Sequence, residues 1–327
     1  MDYLSAQTMP WLDATREQLR AAQAAGRMPH ALLIVSIAGM GEQSLAAWAA
    51  ALVLCQERAQ APCGKCAACQ LLTVDSHPDI QVVGLEEKAQ QIKIEQVRDL
   101  TEALTLKSYR GGCKVGLIEN AELLNTYSAN AFLKTLEEPA GDTLLILVAK
   151  PSHRLPATIA SRCTRIVLRA PPAAEALAWL ARRSGGKPPS EAALRLAAGA
   201  PLLAEALAGM NLPELDRDMS ASVQQLAAGQ VDVSLLAERW LRSDPELRII
   251  WLENWITQRV QAALLGDASS KSAEPVRLPD SLLKPKIRPL FELLDAAREF
   301  RRLLATGLNQ QLALEALLVG GRAALAS

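Results

Sequence analysis

The sequence predicts an α/β protein in which a parallel sheet flanked by helices is followed by an all-helical C-terminal part. Over the first 169 residues, short apolar runs alternate with segments of helical periodicity, which is typical of a parallel α/β sheet. Ala170-Pro171-Pro172 ends this alternation. From about residue 211 onward, apolar residues recur at helical spacing, which predicts helices to the end of the chain.

Four apolar segments are predicted as strands. Residues 31–35 (Ala-Leu-Leu-Ile-Val) are continuously hydrophobic, as expected for a parallel strand that is buried on both faces. Residues 115–118 and 144–148 have the same character, and residues 80–83 (Ile-Gln-Val-Val) predict a further strand. We expect these segments to form one sheet.

The predicted helices lie between and after these strands. Ile94, Val97, Thr101 and Leu104 recur at helical spacing, and a helix over 129–136 is stopped by Pro139. Further along, Trp240, Trp251 and Trp255 fall among Leu and Ile at helical spacing, so they are expected in the core or at helix interfaces. Loops are predicted at 184–189 and, with polar composition, at 267–279.

Composition and net charge indicate which classes of protein the chain can belong to. Half of the residues are hydrophobic and 21% are charged, as in soluble globular proteins. Lys plus Arg equals Asp plus Glu at 35 each, whereas a chain that grips nucleic acid alone usually has a basic excess. The N-terminus lacks the pattern of a signal peptide and no apolar run reaches about 18 residues, so we expect a cytoplasmic protein.

The junction after the first strand resembles a phosphate-binding loop that has lost its ligand-binding groups. Such a loop reads Gly, four residues, Gly, Lys, then Ser or Thr. Here Ser36 replaces the first glycine, while Gly39 and Gly41 remain. Glu42 stands at the lysine position and Gln43 at the hydroxyl position. The charge reversal changes an interaction of about 4 kcal/mol at about 4 Å, so tight ATP binding is not expected. The alternative is an ordinary glycine turn.

A second motif of nucleotide-binding folds is altered in the same way. There, an apolar strand ends in Asp-Glu, whose Asp holds magnesium and whose Glu activates water. In this chain the strand at 114–118 ends in Glu119-Asn120. Glu119 retains a carboxylate for a metal, but Asn120 cannot accept a proton, so the general base for hydrolysis is missing. Together the two motifs predict an ATPase site that no longer works.

Four cysteines predict a structural metal site. Cys55, Cys63, Cys66 and Cys69 are separated by seven, two and two residues, a spacing that closes a tetrahedral four-thiolate zinc site. An iron–sulfur cluster, a redox dithiol and unligated thiols are the alternatives. Cys113 and Cys163 lie apart and are not expected to bind this metal, and His77 is interpreted as part of the turn into the strand at 80–83.

Two further motifs carry a resemblance to a known family. Ser161-Arg162-Cys163 resembles the Ser-Arg-Cys motif of bacterial clamp-loader subunits, which have the AAA+ type of nucleotide fold. Residues 130–139 are similar to a helix and turn of the same family, whose zinc module also follows the phosphate-loop helix. The resemblance covers residues 30–169 and extends to the remainder mostly by layout.

The resemblance implies three domains. Residues 1–169 would form an AAA+-like α/β nucleotide-fold domain with a zinc module near 55–69. Residues 170–210 would form a small helical lid-type domain, and 211–327 a helical collar domain that joins the subunits of a ring.

The resemblance also implies a role. The ATPase members of the family would have Lys at position 42, and the delta subunit lacks the zinc module and the Ser-Arg-Cys motif, so the chain resembles an ATP-inert member. Degraded sensor positions at Ala149-Lys150 and 199–202 agree with this. Its implied partners are the ATPase (gamma/tau) and delta subunits of DNA polymerase III and, indirectly, the sliding clamp and primed DNA. Arg162, between Ser161 and Cys163, would act as an arginine finger on a neighbour's ATP.

Two rival functions remain open at this point. One is an active clamp-loader-like ATPase with an unusual loop, which Glu42 and Asn120 together disfavour. The other is a free-standing zinc protein that binds DNA, which the zero net charge disfavours.

Overall fold

A five-stranded parallel sheet organises the N-terminal part of the computed structural model, which describes residues 2–86, 89–151, 155–185, 191–265, 287–304 and 309–326. The strands are β1 (Ala31–Val35), β2 (Ile80–Val83), β3 (Lys114–Ile118), β4 (Thr143–Ala149) and β5 (Thr164–Val167). Their order across the sheet is β2-β3-β4-β1-β5. All neighbouring strands are parallel, which confirms the predicted fold class.

The central strands β1 and β4 are buried along their whole length. Their side chains alternate between the two faces of the sheet. Leu33 and Leu147 lie opposite each other and belong to a core with Leu100 and Phe132, which lie on the helices that cover that face. Burial on both faces explains why these strands lack polar residues in their interior.

The helices that accompany the sheet follow in chain order. They are α1 (Asp13–Ala24), α2 (Glu42–Leu54), α3 (Ala67–Thr73), α4 (Ile94–Thr105), α5 (Thr126–Glu137), α6 (Ala157–Ala160) and α7 (Ala173–Arg183). Short 3₁₀ turns at Ser5–Thr8 and Pro10–Leu12 precede α1. Every residue of α2 from Leu45 to Leu54 is buried, which suits its run of small and apolar side chains.

The chain divides into two compact units. The first contains residues 1–186 and 199–203, and the second contains residues 187–198 and 204–327. The remaining helices are α8 (Glu191–Leu196), α9 (Pro201–Leu207), α10 (Leu212–Ala227), α11 (Val233–Arg242), α12 (Pro245–Leu265), α13 (Ile287–Leu303) and α14 (Gln310–Ala326). In the second unit, α13 packs against both α12 and α14. The predicted division at 169 and 210 into three domains stays a prediction.

The tryptophans behave as predicted. Trp240 and Trp251 are buried, and Trp251 stacks on the half-buried Trp255 with ring centroids 6.2 Å apart. The predicted polar loop at 267–279 and most of the one at 184–189 lie outside the described residues. Within the described ranges, no helix has the length and apolarity that a membrane span requires.

Candidate functional site

The residues of the two altered nucleotide motifs leave the sheet at one edge. β1 ends at Val35, which lies opposite Ala149 of β4, and β3 ends at Ile118, which lies opposite Leu147. The carboxyl ends of parallel strands meet at the same edge, where ligands bind in open α/β sheets. The segments that begin at Ser36, Glu119 and Lys150 therefore start side by side.

The loop between β1 and α2 keeps the backbone shape of a glycine-dependent turn. Gly39 and Gly41 have φ angles of +85° and +84°, which side chains rarely tolerate. Ser36 is buried, and its amide donates to the carbonyl of Ala149 at 3.0 Å. Its hydroxyl donates to the carbonyl of Ile37 at 2.7 Å and so serves the loop itself.

The carboxylate of Glu42 binds inside this loop. Its Oε1 accepts a hydrogen bond from the amide of Gly39 at 3.3 Å, and its Oε2 accepts one from the amide of Met40 at 3.0 Å. Backbone amides of such a loop are the donors that bind phosphate oxygens in nucleotide-binding proteins. In this chain, two of them bind an anionic side chain of the same loop, while Gln43 is exposed.

Side chains also pack closely over the two glycines. The carbonyl of Gly39 accepts a hydrogen bond from the amide of Leu202 at 3.0 Å. A Cβ atom at Gly39 would lie 2.6 Å from Cβ of Leu203, and one at Gly41 would collide with the sulfur of Met9. Trp11 donates to the carbonyl of the fully buried Met40 at 2.8 Å. All of these residues belong to the first compact unit.

The segment after β3 holds two carboxylates in different surroundings. Glu119 is half-buried, and burial raises the pKa of its carboxyl group above the ordinary value. Asn120 has a left-handed backbone, with φ +52°, which asparagine tolerates better than most residues. Glu122 is buried and accepts a hydrogen bond from the amide of Lys150 at 3.1 Å. The sequence pattern does not single out Glu122, although Glu122 and Lys150 each follow a predicted strand.

The four cysteines predicted to bind a metal lie together. The four sulfur atoms are all within 4.8 Å of one another, with Cys55 and Cys66 at 3.9 Å and Cys63 and Cys69 at 4.0 Å. A tetrahedral zinc site with zinc–sulfur bonds of about 2.3 Å places its sulfurs about 3.8 Å apart. The cluster therefore fits such an ion, and among the described residues it is the sole group of this kind.

Backbone amides point at these sulfurs. The amides of Cys63, Cys66 and Cys69 donate to the sulfurs of Cys55, Cys63 and Cys66 at 3.4, 3.3 and 3.5 Å. Burial opposes ionisation of Cys66, but hydrogen bonds from the amides of Cys69 and Gln56 lower its pKa to about 6. Burial raises the pKa of Cys69 to about 12. The turn thus stabilises negative charge on sulfur in one part of the cluster, as a thiolate site requires.

The other cysteines and His77 lie outside the cluster. Burial raises the pKa of Cys113 to about 12 and that of Cys163 to about 11, so both are neutral thiols. His77 is buried just before β2, and its Nδ1 accepts a hydrogen bond from the amide of Asp79 at 3.1 Å. The cluster is joined to the N-terminus by Tyr3, whose hydroxyl donates to the carbonyl of Cys69 at 3.2 Å.

Arg162 lies just after α6, between the exposed Ser161 and the half-buried Cys163. Its Nε and Nη2 lie 2.8 and 2.6 Å from Oε1 of Glu137, the last residue of α5. Its Nη1 donates to the carbonyl of Thr158 at 2.9 Å. About 36% of the side chain remains exposed, so the guanidinium is held and still accessible.

Comparison with known proteins agrees with these motifs. A family described as "DNA polymerase III, delta subunit" matches residues 11–172. Over residues that make up 44% of this chain, the tau subunit of DNA polymerase III from Salmonella typhimurium is 35% identical, and the match spans 22% of that protein.

Two relatives carry the same subunit name. The DNA polymerase III subunit delta' of Escherichia coli is 40% identical over 61% of this chain and 60% of that protein. The subunit delta' of Pseudomonas aeruginosa is 38% identical over 95% of this chain and 96% of that protein. Since a match of this identity extends over nearly the whole length of both chains, the chain belongs to the delta-prime subunits of DNA polymerase III, a component of the clamp loader.

Proposed function

We propose that this delta-prime chain neither binds ATP tightly nor hydrolyses it, and that it acts on ATP bound to a neighbouring subunit through Arg162. In this proposal it joins the ATPase (gamma/tau) and delta subunits, and the assembled loader places the sliding clamp on primed DNA. The observation that carries the proposal is the carboxylate of Glu42, which binds the amides of its own phosphate loop.

The position of Glu42 disfavours a phosphate group for two reasons. The amides of Gly39 and Met40 are already engaged, so a phosphate would have to displace a group that is tethered to the same loop. A tethered group competes at a high effective concentration. If the carboxylate stayed nearby, its charge would repel the incoming phosphate by about 4 kcal/mol at about 4 Å in a partly screened site.

The packing over the loop adds a steric barrier. Leu203 and Met9 lie where even a single carbon atom on Gly39 or Gly41 would collide with them. Any change in the backbone of the loop at Gly39 or Gly41 would therefore require the start of α9 or the N-terminal segment to move. Replacing Glu42 alone leaves this packing in place, so we do not expect a single substitution to restore ATP binding.

The residues for hydrolysis are missing independently of binding. Asn120 stands where the general base would be, and an amide does not accept a proton at neutral pH. Glu119 is half-buried with a raised pKa, which weakens it as a metal ligand because burial opposes its charge. Even a bound nucleotide would thus lack an activated water molecule.

The charge, shape and exposure of the Arg162 guanidinium support a role for this residue in a partner's active site. Its guanidinium is always charged and its planar fork matches phosphate oxygens. It is a third exposed, and it follows a short helix that fixes its backbone. An arginine supplied across a subunit interface stabilises the charge that develops during phosphoryl transfer.

The proposal also includes a structural zinc site formed by the four cysteines. A closed four-thiolate site leaves no coordination position for catalysis, so its role is to hold residues 55–69 in place. The hydrogen bond of Tyr3 to Cys69 ties this module to the N-terminal segment that contains Met9. The zinc module therefore supports the segment that packs over the altered loop.

Equilibrium ATP binding by the isolated chain tests the first half of the proposal. We expect no saturable binding of ATP with magnesium at micromolar concentrations, and no turnover above the background of a mock preparation purified in parallel without this protein. The same measurement on Glu42→Lys should also show no tight binding. Micromolar affinity or steady hydrolysis by the unmodified protein would mean that the site still works as an ATPase.

A further inference from the structure

The ion pair between Glu137 and Arg162 joins two motifs that the family resemblance singled out separately. We propose that Glu137 is a positioning residue that orients the guanidinium of Arg162 toward the neighbour's ATP. This inference rests on the proposed role of Arg162 as an arginine finger. It gives Glu137 a part in the hydrolysis of ATP that is bound to another subunit.

The contacts of Arg162 fix the plane of its guanidinium at two points. One oxygen of Glu137, Oε1, accepts a hydrogen bond from Nε at 2.8 Å and forms an ion pair with Nη2 at 2.6 Å. On the opposite nitrogen, Nη1 donates to the carbonyl of Thr158 at 2.9 Å. Glu137 ends α5 and Thr158 lies in α6, so two different helices set the orientation.

These contacts leave donors available for a phosphate. A guanidinium has five N–H groups. Within the described part of the chain, Glu137 and Thr158 accept hydrogen bonds from two of them, and a third, on Nη2, lies against the same carboxylate oxygen at 2.6 Å. Nη1 has one further contact, 3.5 Å from the hydroxyl of Ser161. One N–H of Nη2 and the weakly held one of Nη1 remain for a pair of phosphate oxygens. The arrangement is therefore compatible with holding the arginine and presenting it at once.

Orientation matters here because an exposed arginine has many rotamers. An unrestrained side chain would lose this freedom each time it engaged the phosphate, and pre-organised donors avoid that loss during the reaction. A carboxylate that covered the guanidinium would act in the opposite sense, by competing with the phosphate. Because Glu137 uses one oxygen and leaves a third of the arginine exposed, the geometry favours orientation.

The neighbouring carboxylate provides a matched control. Glu138 is exposed like Glu137, and its side chain contacts none of the cationic groups in the described residues. Replacing either carboxylate with glutamine removes one negative charge from the same turn. An effect seen with Glu137→Gln and not with Glu138→Gln therefore comes from the contact with Arg162.

The experiment compares complete clamp loaders that contain this subunit as wild type, Arg162→Ala, Glu137→Gln, Glu138→Gln or the double variant of Arg162 and Glu137. ATP hydrolysis stimulated by clamp and primed DNA is measured at matched incorporation of the subunit. We expect Arg162→Ala to set the full loss. Glu137→Gln should lower kcat by about threefold to tenfold, within that limit, and leave KM for ATP within about twofold of wild type.

Two further variants and a measurement of folding complete the test. Glu138→Gln should match wild type, and the double variant should match Arg162→Ala alone, because Glu137 acts only through the arginine. Thermal unfolding of each isolated chain shows whether a variant folds. A Glu137→Gln complex as fast as wild type or faster, or a double variant slower than Arg162→Ala, would overturn the positioning role. An Arg162→Ala complex as fast as wild type would instead overturn the finger itself.

Discussion

At the scale of single residues, Glu42 forms the hydrogen bonds that hold the loop between β1 and α2. The turn aims the amides of Gly39 and Met40 inward, and buried amides without an acceptor are costly. In a nucleotide-binding protein the ligand supplies that acceptor. Here the carboxylate of Glu42 accepts from both amides and so supplies an acceptor from within the loop.

This arrangement predicts a stability effect that charge repulsion alone does not. Glu42→Ala should lower the free energy of unfolding by about 1–2 kcal/mol, since hydrogen bonds to a charged group contribute roughly 1.5–3 kcal/mol and this one is partly exposed. Glu42→Gln keeps one acceptor oxygen and should cost less than half as much. Chemical denaturation measures both, with the exposed Gln43→Ala as the control. An Ala variant as stable as wild type would mean that the loop does not depend on its carboxylate.

A pH dependence follows from Glu119. Burial raises the pKa of its carboxyl group in the folded state, so the folded state binds the proton more tightly than the unfolded state does. The ionised carboxylate of Glu119 therefore lowers the free energy of unfolding. This effect is absent below the ordinary carboxyl pKa and develops as pH rises through the raised value. Glu119→Gln should be more stable than wild type at neutral pH, by up to about 1 kcal/mol. The difference should shrink in acid, as measured by denaturation from pH 3 to 8 beside the exposed Glu17→Gln.

At this scale the sequence predicts which residues differ from the nucleotide-binding motifs, but it does not predict what those residues contact. The spacing of Gly39, Gly41 and Glu42 was enough to predict an altered phosphate loop. That the carboxylate of Glu42 turns back to the amides of Gly39 and Met40 depends on the conformation of its side chain, which the spacing of the motif does not report. For the same reason, the partner of Arg162 was not predictable from the Ser-Arg-Cys motif, since Glu137 precedes it by 25 residues.

At the scale of elements, the predicted strands at 31–35, 80–83, 115–118 and 144–148 are confirmed within one residue at each end. β5 (Thr164–Val167) was missed because three of its four residues are exposed at the edge of the sheet, so its sequence lacks the apolar run of a central strand. β5 pairs with β1, which lies far away in sequence, and local periodicity does not report such long-range pairing.

The four-cysteine turn is the element with the clearest chemical test. Protein purified without added metal should contain about one zinc ion per chain, and replacing Cys63 and Cys66 with serine should abolish it. Because the ion joins 55–69, its loss should speed proteolysis of this segment. The control is Cys113→Ala, which removes a thiol outside the cluster. Iron in place of zinc, or no metal under reducing conditions, would contradict the structural zinc site.

At the scale of the whole molecule, the chain combines a first unit with the altered loop, the cysteine cluster and Arg162, and a second, helical unit with its own core. The second unit contains a buried charged contact: Arg248 is 8% exposed at its side chain and lies 2.5 Å from Asp218. It also donates to the carbonyl of Ser243 at 2.8 Å. The cysteine cluster of the first unit and the Arg248–Asp218 contact of the second can therefore each be removed without changing a residue of the other unit.

This separation predicts that the two units lose stability independently. Arg248→Met should destabilise the second unit by about 2–3 kcal/mol, somewhat less than the roughly 3–5 kcal/mol for breaking a fully buried pair, because Asp218 is a third exposed and keeps Arg239 at 3.7 Å. Chelation of the predicted zinc ion should destabilise the first unit. Hydrogen exchange followed by mass spectrometry distinguishes them, since each perturbation should speed exchange within one unit and leave slow amides of the other unchanged. Arg242→Met, at an exposed pair on α11, serves as the control for charge removal. Faster exchange across both units after either change would show that the chain unfolds as a single cooperative body.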